Sequence, residues 1–449
     1  MKIRLQAICL LLILILVITA GMADAQGGEI DGTGLRFVGY MPLTQLADLL
    51  DVEIDLHTAT LSPDGMLLAW YGRDSICVLT IEDGNETCYS DENLPGYMTT
   101  GLYWSPTSQM IAFHEDAVRG SIESDIWLLD LTSGHVTNLT DDMFYGSYAD
   151  AEATVNLDLL PTWDPATGDL YFFRVTRTVE GSVTNALYRF RAGDLASSTE
   201  AELVVDLTDT FPDMFPVYDL DITSLNGSTD ISPDGTTLAF ITRPDLDHLD
   251  TAAVWLMDLA SGDLRVAAQR ADIMNVGAPA WYWEEAMSAS DRLDGLAWLP
   301  DNKTLIVSSF SAESWWRSLA PALYALDTSS GAVRSLRDLS DIPDFKSYVT
   351  APYTPEGYPA AWGQQMFSLL LPGGEAVVYT SGVVMPTDTV AFSAWLPGSD
   401  SDTAQPIRLA MIPTGDFEVL PVYRTSAGES DGTIRALSFG YLLGFERVK

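Results

Sequence analysis

The chain has 449 residues, of which 47% are hydrophobic and 10% aromatic, so it carries enough apolar side chains for a large core and is not intrinsically disordered. Its formal net charge is -40, from 63 acidic and 23 basic side chains. This charge excludes DNA and RNA as partners, because nucleic-acid affinity depends on Lys and Arg side chains that neutralise phosphates.

The N-terminus has the pattern of a secretory signal peptide over residues 1–25. Lys2 and Arg4 precede an apolar stretch over residues 8–20, and the small residues Ala23 and Ala25 predict cleavage after Ala25. We expect an exported protein, periplasmic or extracellular, with no membrane span after cleavage. An uncleaved signal anchor is the alternative, although the apolar stretch is short for a transmembrane helix.

Two cysteines, Cys77 and Cys88, remain after the predicted cleavage. Both lie in one apparent hairpin over residues 76–89, and a close pair in an oxidising compartment predicts a disulfide. Two free thiols on opposite faces of the strands are the alternative.

Six segments share an apolar strand, a tight turn and a second apolar strand. Leu61 begins L-S-P-D-G-M-L-L-A-W, Trp104 begins W-S-P-T-S-Q-M-I-A-F, and Ile231 begins I-S-P-D-G-T-T-L-A-F. Proline fixes φ at the first turn position and ends the preceding strand. The six turn prolines are Pro63, Pro106, Pro165, Pro233, Pro300 and Pro372.

A second hairpin pattern follows each of these turns. Ile126 begins I-W-L-L-D-L-T-S-G, Val254 begins V-W-L-M-D-L-A-S-G, and the sixth copy is placed late, from Ile407. Two hairpins per repeat make a four-stranded antiparallel unit that must bury its faces against its neighbours. The repeats therefore predict an all-β fold, a β-propeller of about six four-stranded antiparallel blades, with a partial seventh from the termini as an option.

The W-S-P-D-G-type turn and the I-W-L-L-D-L-T-S-G hairpin resemble the propeller repeats of the TolB-like family. The resemblance covers nearly all of the chain after the signal and implies the fold more than any one function, since related propellers bind peptides, proteins or sugars, or cap peptidases. TolB also carries a separate N-terminal α/β domain, and we expect no counterpart of it in the short lead-in between the signal and the first repeat. We divide the chain into the signal peptide (1–25), a lead-in with a strand (26–56), the repeats (57–421) and closing strands (422–449).

Within each blade, strands A to D run outwards from the axis. The A–B and C–D turns are short and lie at one edge, the tight-turn rim, whereas the B–C and D–A connections lie at the opposite edge, the long-loop rim. Long loops carry function more often than tight turns. The aromatic side chains of these loops predict a ligand-binding rim of Tyr145, Tyr148, Phe215, Trp281, Trp283, Glu284, Trp315, Trp316, Tyr353 and Trp362. Packing within the loops is the alternative, whereas Trp104, Trp163 and Trp298 are predicted to be core residues.

The sequence has no motif that predicts catalysis: the four histidines lack zinc spacing, and no nucleophile elbow or phosphate loop is present. No cofactor is expected. Asp245, Asp247 and Asp250 alternate in a loop and form a weak calcium-site prediction, for which a solvated acidic loop is the alternative.

The sequence therefore favours a monomeric, exported module that binds a protein or a glycan at the long-loop rim. A propeller glycoside hydrolase or polysaccharide lyase that uses carboxylates of the same rim is the alternative.

Overall fold

The computed structural model describes residues 29–30, 35–55, 58–72, 74–90, 94, 101–114, 124–142, 154–195, 200–211, 228–242, 253–276, 291–299, 301–311, 322–335, 368–370, 377–381, 389–395, 407–413, 433–438 and 441–447. Within these residues the chain forms antiparallel strands and two short helices. Neither of these two helices has the length and apolar character needed to cross a membrane.

The described strands form seven four-stranded antiparallel sheets, six of them from continuous segments. The first sheet contains β3 (Thr60–Leu61), β4 (Leu67–Tyr71), β5 (Ile76–Thr80) and β6 (Asn85–Tyr89). The second contains β7 (Tyr103–Trp104), β8 (Met110–His114), β9 (Ile126–Asp130) and β10 (His135–Asn138). The third contains β11 (Val155–Trp163), β12 (Leu170–Arg177), β13 (Val183–Phe190) and β14 (Glu202–Asp206).

The next three sheets repeat this order. The fourth contains β15 (Thr229–Ile231), β16 (Thr237–Thr242), β17 (Ala253–Asp258) and β18 (Leu264–Gln269), and the short helix α2 (Arg270–Met274) follows it. The fifth contains β19 (Asp291–Trp298), β20 (Thr304–Ser311), β21 (Ala322–Asp327) and β22 (Val333–Ser335). The sixth contains β23 (Ser368–Leu370), β24 (Val377–Ser381), β25 (Thr389–Trp395) and β26 (Ile407–Pro413).

The remaining sheet, the terminal sheet, joins the two ends of the chain. Its strands are β1 (Glu29–Ile30), β2 (Leu35–Pro42), β27 (Thr433–Ser438) and β28 (Tyr441–Arg447), in the order β1-β2-β28-β27. The N-terminal strand β2 pairs with β28, with Tyr40 opposite Leu443. A strand of the lead-in, β2, and a strand of the closing segment, β27, thus belong to one sheet, with β28 between them.

Apolar clusters join the first five sheets in order, and Leu442 of the terminal sheet packs in the cluster of the first, as the radial arrangement of a propeller requires. The inner strands are in contact: β11 touches β7 and β15, β15 touches β19, and β27 touches both β3 and β23. Trp104, Trp163 and Trp298 are buried, as predicted. These sheets and their contacts confirm the prediction of an all-β propeller fold.

Two of the buried tryptophans also link neighbouring sheets by hydrogen bonds. The Trp163 indole Nε1 donates to the main-chain oxygen of Tyr103 at 2.9 Å, and that of Trp298 donates to the oxygen of Asp230 at 3.2 Å. Each bond joins the first strand of one sheet to the first strand of the preceding sheet, and so fixes the relative position of the two sheets.

Three details differ from the sequence-based expectation. The lead-in contains a helix, α1 (Leu43–Leu50), whose Leu43 and Leu46 are buried against the first sheet, since apolar residues recur at helical spacing. In the sixth sheet the second hairpin begins at residues 389–395, which pair with the segment from Ile407. That segment is therefore the outermost strand and not the start of the hairpin. The B–C connections of the first and third sheets, residues 72–75 and 178–182, are short.

Candidate functional site

The predicted ligand-binding residues, nine aromatics and Glu284, lie outside the described residues, as do the three aspartates of the calcium prediction. These residues are Tyr145, Tyr148, Phe215, Trp281, Trp283, Glu284, Trp315, Trp316, Tyr353, Trp362, Asp245, Asp247 and Asp250. Their connections join strands whose described ends meet at the long-loop rim. The rim prediction therefore stays a prediction at the level of single residues.

At the tight-turn rim, carboxylates are used by the turns themselves. Hydrogen bonds from the Ser329 hydroxyl and nearby backbone lower the pKa of Asp327 to about 2. Bonds from Ser261 and Ala260 lower the pKa of Asp258 in the same way. These aspartates accept local hydrogen bonds that hold the turns in shape.

A different set of carboxylates lies at the long-loop rim, between the second and third sheets. We call it the Asp125 cluster: Asp125, Asn138, Thr140, Asp158 and Arg174. Asp125 comes directly before β9, Asn138 ends β10, and Asp158 and Arg174 lie opposite each other on β11 and β12. Asp125 and Asp158 are both buried, with exposed fractions of 2% and 0%.

The centre of the cluster is a bidentate ion pair between Arg174 and Asp158. Arg174 donates from Nε to Oδ1 of Asp158 and from Nη2 to Oδ2, both at 2.6 Å. The guanidinium also lies over the ring of Tyr188, 4.9 Å from its centroid. Burial raises the pKa of Asp158, and the bonds and charge of Arg174 oppose that rise.

Asp125 is held by neutral donors. Its Oδ2 accepts from the Asn138 amide at 2.7 Å, and its Oδ1 accepts from the Thr140 hydroxyl at 3.2 Å. Burial raises the pKa of Asp125 to about 6, and the charges of Asp158 and Asp142 add to the rise, while the Asn138 and Thr140 bonds oppose it. A carboxyl with such a pKa changes its charge within the range of mildly acidic to neutral solution.

Two hydrogen bonds between Ser124 and Asp158 tie the second sheet to the third beside this cluster. The amide of Asp158 donates to the main-chain oxygen of Ser124 at 2.7 Å, and the Ser124 hydroxyl donates back to the main-chain oxygen of Asp158 at 2.9 Å. Ser124 also lies 3.5 Å from Nδ1 of His114. Both side chains are buried, and the serine proton is directed to the Asp158 carbonyl, so this contact is a packing arrangement rather than an exposed nucleophile and base.

The two cysteines lie opposite each other on β5 and β6, with their sulfurs 1.99 Å apart, at bonding distance. Cys77 is buried and Cys88 is exposed next to the Glu86 carboxylate. The pair sits on the third and fourth strands of the first sheet and belongs to its framework, at a distance in sequence from the Asp125 cluster.

Sequence reasoning did not single out Asp125, Asp158 or Arg174. With 63 acidic side chains, no one carboxylate stands out by composition. One signal was present: Asp158 lies among the leucines of residues 157–160, and a charge inside a buried strand requires a partner.

Several solved structures are similar to this chain, all at low identity. A putative TolB from Agrobacterium tumefaciens is 15% identical, with 63% of this chain and 80% of that chain covered and a TM-score of 0.35. An oligogalacturonate lyase from Vibrio parahaemolyticus is 11% identical, with coverage of 91% and 96% and a TM-score of 0.44. A putative dipeptidyl aminopeptidase IV from Bacteroides ovatus is 10% identical, with coverage of 79% and 46% and a TM-score of 0.41.

This chain thus spans less than half the length of the Bacteroides protein. No protein-family model matches the sequence, and no curated protein matches it. The class that the fold defines is a β-propeller, and none of these likenesses assigns an activity to the chain.

Proposed function

We propose that this chain is an exported, TolB-like propeller that binds a protein or a glycan at its long-loop rim. The observation that carries the proposal is the difference between the two rims. Apart from the C–D connections of the third and sixth sheets, residues 191–201 and 396–406, the connections of the tight-turn rim are short. Described turns use their own polar side chains internally, as at Ser62 and Asp64 or Asp301 and Thr304. The opposite rim has the longer connections, such as residues 207–228 and 336–367.

The composition of the long connections supports a ligand with ring faces or apolar side chains. Tryptophan and tyrosine offer flat apolar surfaces together with one polar group, which suits sugars and peptide side chains. Trp281, Trp283, Trp315 and Trp316 fall within two of these connections. Export through the predicted signal over residues 1–25 would place the module where envelope proteins and polysaccharides are available, and a monomer suffices for such binding.

The test combines a glycan array with a pull-down from envelope extract, using the full-length chain expressed with its own N-terminal segment, with and without calcium. Trp283→Ala and Trp316→Ala remove rim aromatics. Leu203→Ala is the matched control, because Leu203 is an apolar side chain on the outermost strand β14, 53% exposed and away from the rim. Loss of a specific ligand in both tryptophan variants but not in the control supports the proposal.

Two results would contradict it. Unchanged binding in both tryptophan variants would remove the rim from the binding surface. A glycan that is consumed over time, with new reducing ends or unsaturated products, would replace the binding module with the hydrolase or lyase alternative.

A further inference from the structure

The Asp125 cluster brings two buried carboxyl groups to the boundary of the second and third sheets. Asp158 accepts hydrogen bonds from Nε and Nη2 of Arg174. Among the residues that the structure describes, the hydrogen bonds to Asp125 come from the neutral side chains of Asn138 and Thr140. A buried carboxylate without its own cationic bond is costly, because burial removes the water that stabilised its charge.

The hydroxyl of Thr140 shows that donors are scarce at this boundary. It accepts the main-chain N–H of Ile126 at 2.9 Å and has one proton to donate. That proton points to Asp125. An additional proton on Asp125 would remove its buried negative charge.

Charged and titratable groups surround Asp125 on several elements. Asp158 lies on β11, Arg174 on β12 and Asp142 in the segment after β10. His114, at the end of β8, contacts Ser124, the residue before Asp125. Asp158 and Asp142 disfavour a negative charge on Asp125, whereas the field of Arg174 favours it. The guanidinium bonds, however, are directed to Asp158.

We propose that Asp125 takes up a proton in mildly acidic solution, so that the packing of the second sheet on the third stabilises the fold more there than above neutral pH. The proposal concerns the fold and is independent of what the long-loop rim binds. A carboxyl that is harder to ionise in the folded chain than in the unfolded chain favours folding when it is protonated. That contribution is complete in acid and is lost as the pH rises through the folded-state pKa.

The size of the effect follows from the pKa of Asp125, about 6 in the folded protein against the ordinary value of 3.8. Between about pH 5 and pH 7 this difference raises the unfolding equilibrium constant about tenfold. The net charge of -40 also disfavours the folded state as pH rises, so the contribution of Asp125 must be measured against a variant.

The experiment is denaturant unfolding of the purified protein at a series of pH values between about 5 and 7, with Asp125→Asn and Asp327→Asn. Both variants remove one negative charge. Asp327 lies at the tight-turn rim, and its pKa of about 2 places its titration below this range. Between about pH 5 and pH 7, we expect the unfolding equilibrium constant of Asp125→Asn to rise about tenfold less than that of the wild type. The unfolding equilibrium constant of Asp327→Asn should change with pH as in the wild type.

A wild-type pH response in Asp125→Asn would overturn the proposal. If that variant does not fold, infrared spectroscopy of the wild-type protein decides, since a protonated carboxyl absorbs apart from a carboxylate. A protonated-carboxyl band that disappears with a midpoint near pH 6 supports the proposal. Ordinary carboxyls lose their protons at about pH 4, so a titration of this band without a component near pH 6 refutes the proposal.

Discussion

The Asp158–Arg174 pair gives the sharpest prediction, because loss of either partner should lower stability with a different dependence on pH. Asp158→Asn leaves a guanidinium that cannot lose its proton in a protein. Removal of one partner of a buried pair costs about 3–5 kcal/mol. Arg174 is 18% exposed and lies at the rim, so it can reach some water, and we expect the lower end, about 3 kcal/mol. Because the pKa of Asp158 is raised in the folded wild type, that cost should be equal or smaller in neutral solution than in acidic solution, and should not grow with pH.

Arg174→Met leaves a buried carboxyl without its cation. Asp158 is fully buried and loses the two bonds that oppose the rise in its pKa, but it can become neutral by taking up a proton. A raised folded-state pKa favours folding in acid, and the benefit is lost as pH rises. The cost of Arg174→Met should therefore grow with pH, by up to about 1.4 kcal/mol for each pH unit.

The assay is denaturant unfolding of the wild type and both variants at about pH 5 and pH 7.5, with each variant compared with the wild type at the same pH. The reasoning is refuted if the cost of Arg174→Met is equal at the two pH values. It is also refuted if Asp158→Asn costs less than about 1 kcal/mol, as expected of an exposed pair.

Three further predictions concern the framework. Trp163→Phe should lower the free energy of unfolding by about 1 kcal/mol more than Trp104→Phe, because the Trp163 indole donates a hydrogen bond whereas the buried Trp104 Nε1 has no partner among the described residues; thermal unfolding of both checks this. Gly235→Ala should cost more than Gly181→Ala, since both have positive φ but only Gly235 has a carboxylate oxygen 2.7 Å from the added Cβ; equal unfolding midpoints would contradict this. Cys88→Ser should lower stability by about 2–4 kcal/mol, and free thiols in freshly isolated wild-type protein, detected by mass after alkylation, would show that the disulfide is not formed.

Much of the fold could be predicted because the turns repeat. The S-P-D-G-type turns and the hairpins that follow them each depend on a few neighbouring residues, so the sequence reveals them directly. The burial of Trp163 and Trp298 was predictable in the same way. Their indole bonds were not, because the acceptors belong to another repeat, Tyr103 and Asp230.

The candidate site was less predictable for a similar reason. The Asp125 cluster joins segments around residues 125, 140, 158 and 174, and its character depends on burial that arises only when two sheets meet. The rim aromatics could be proposed from loop position alone, so they remain predictions about a surface rather than about a geometry.

The terminal sheet has a consequence for the order in which the protein can fold. The apolar face of the first sheet, with Leu68 and Trp70, is covered by helix α1 and by Leu442 of strand β28. Strand β28 is synthesised long after the first sheet, and β2 must wait for it to find its inner neighbour. A nascent or prematurely ended chain therefore keeps an open apolar surface at its oldest part, where proteases and chaperones can recognise it. The apolar cover of the first sheet is therefore completed only when the chain around Leu442 has been made.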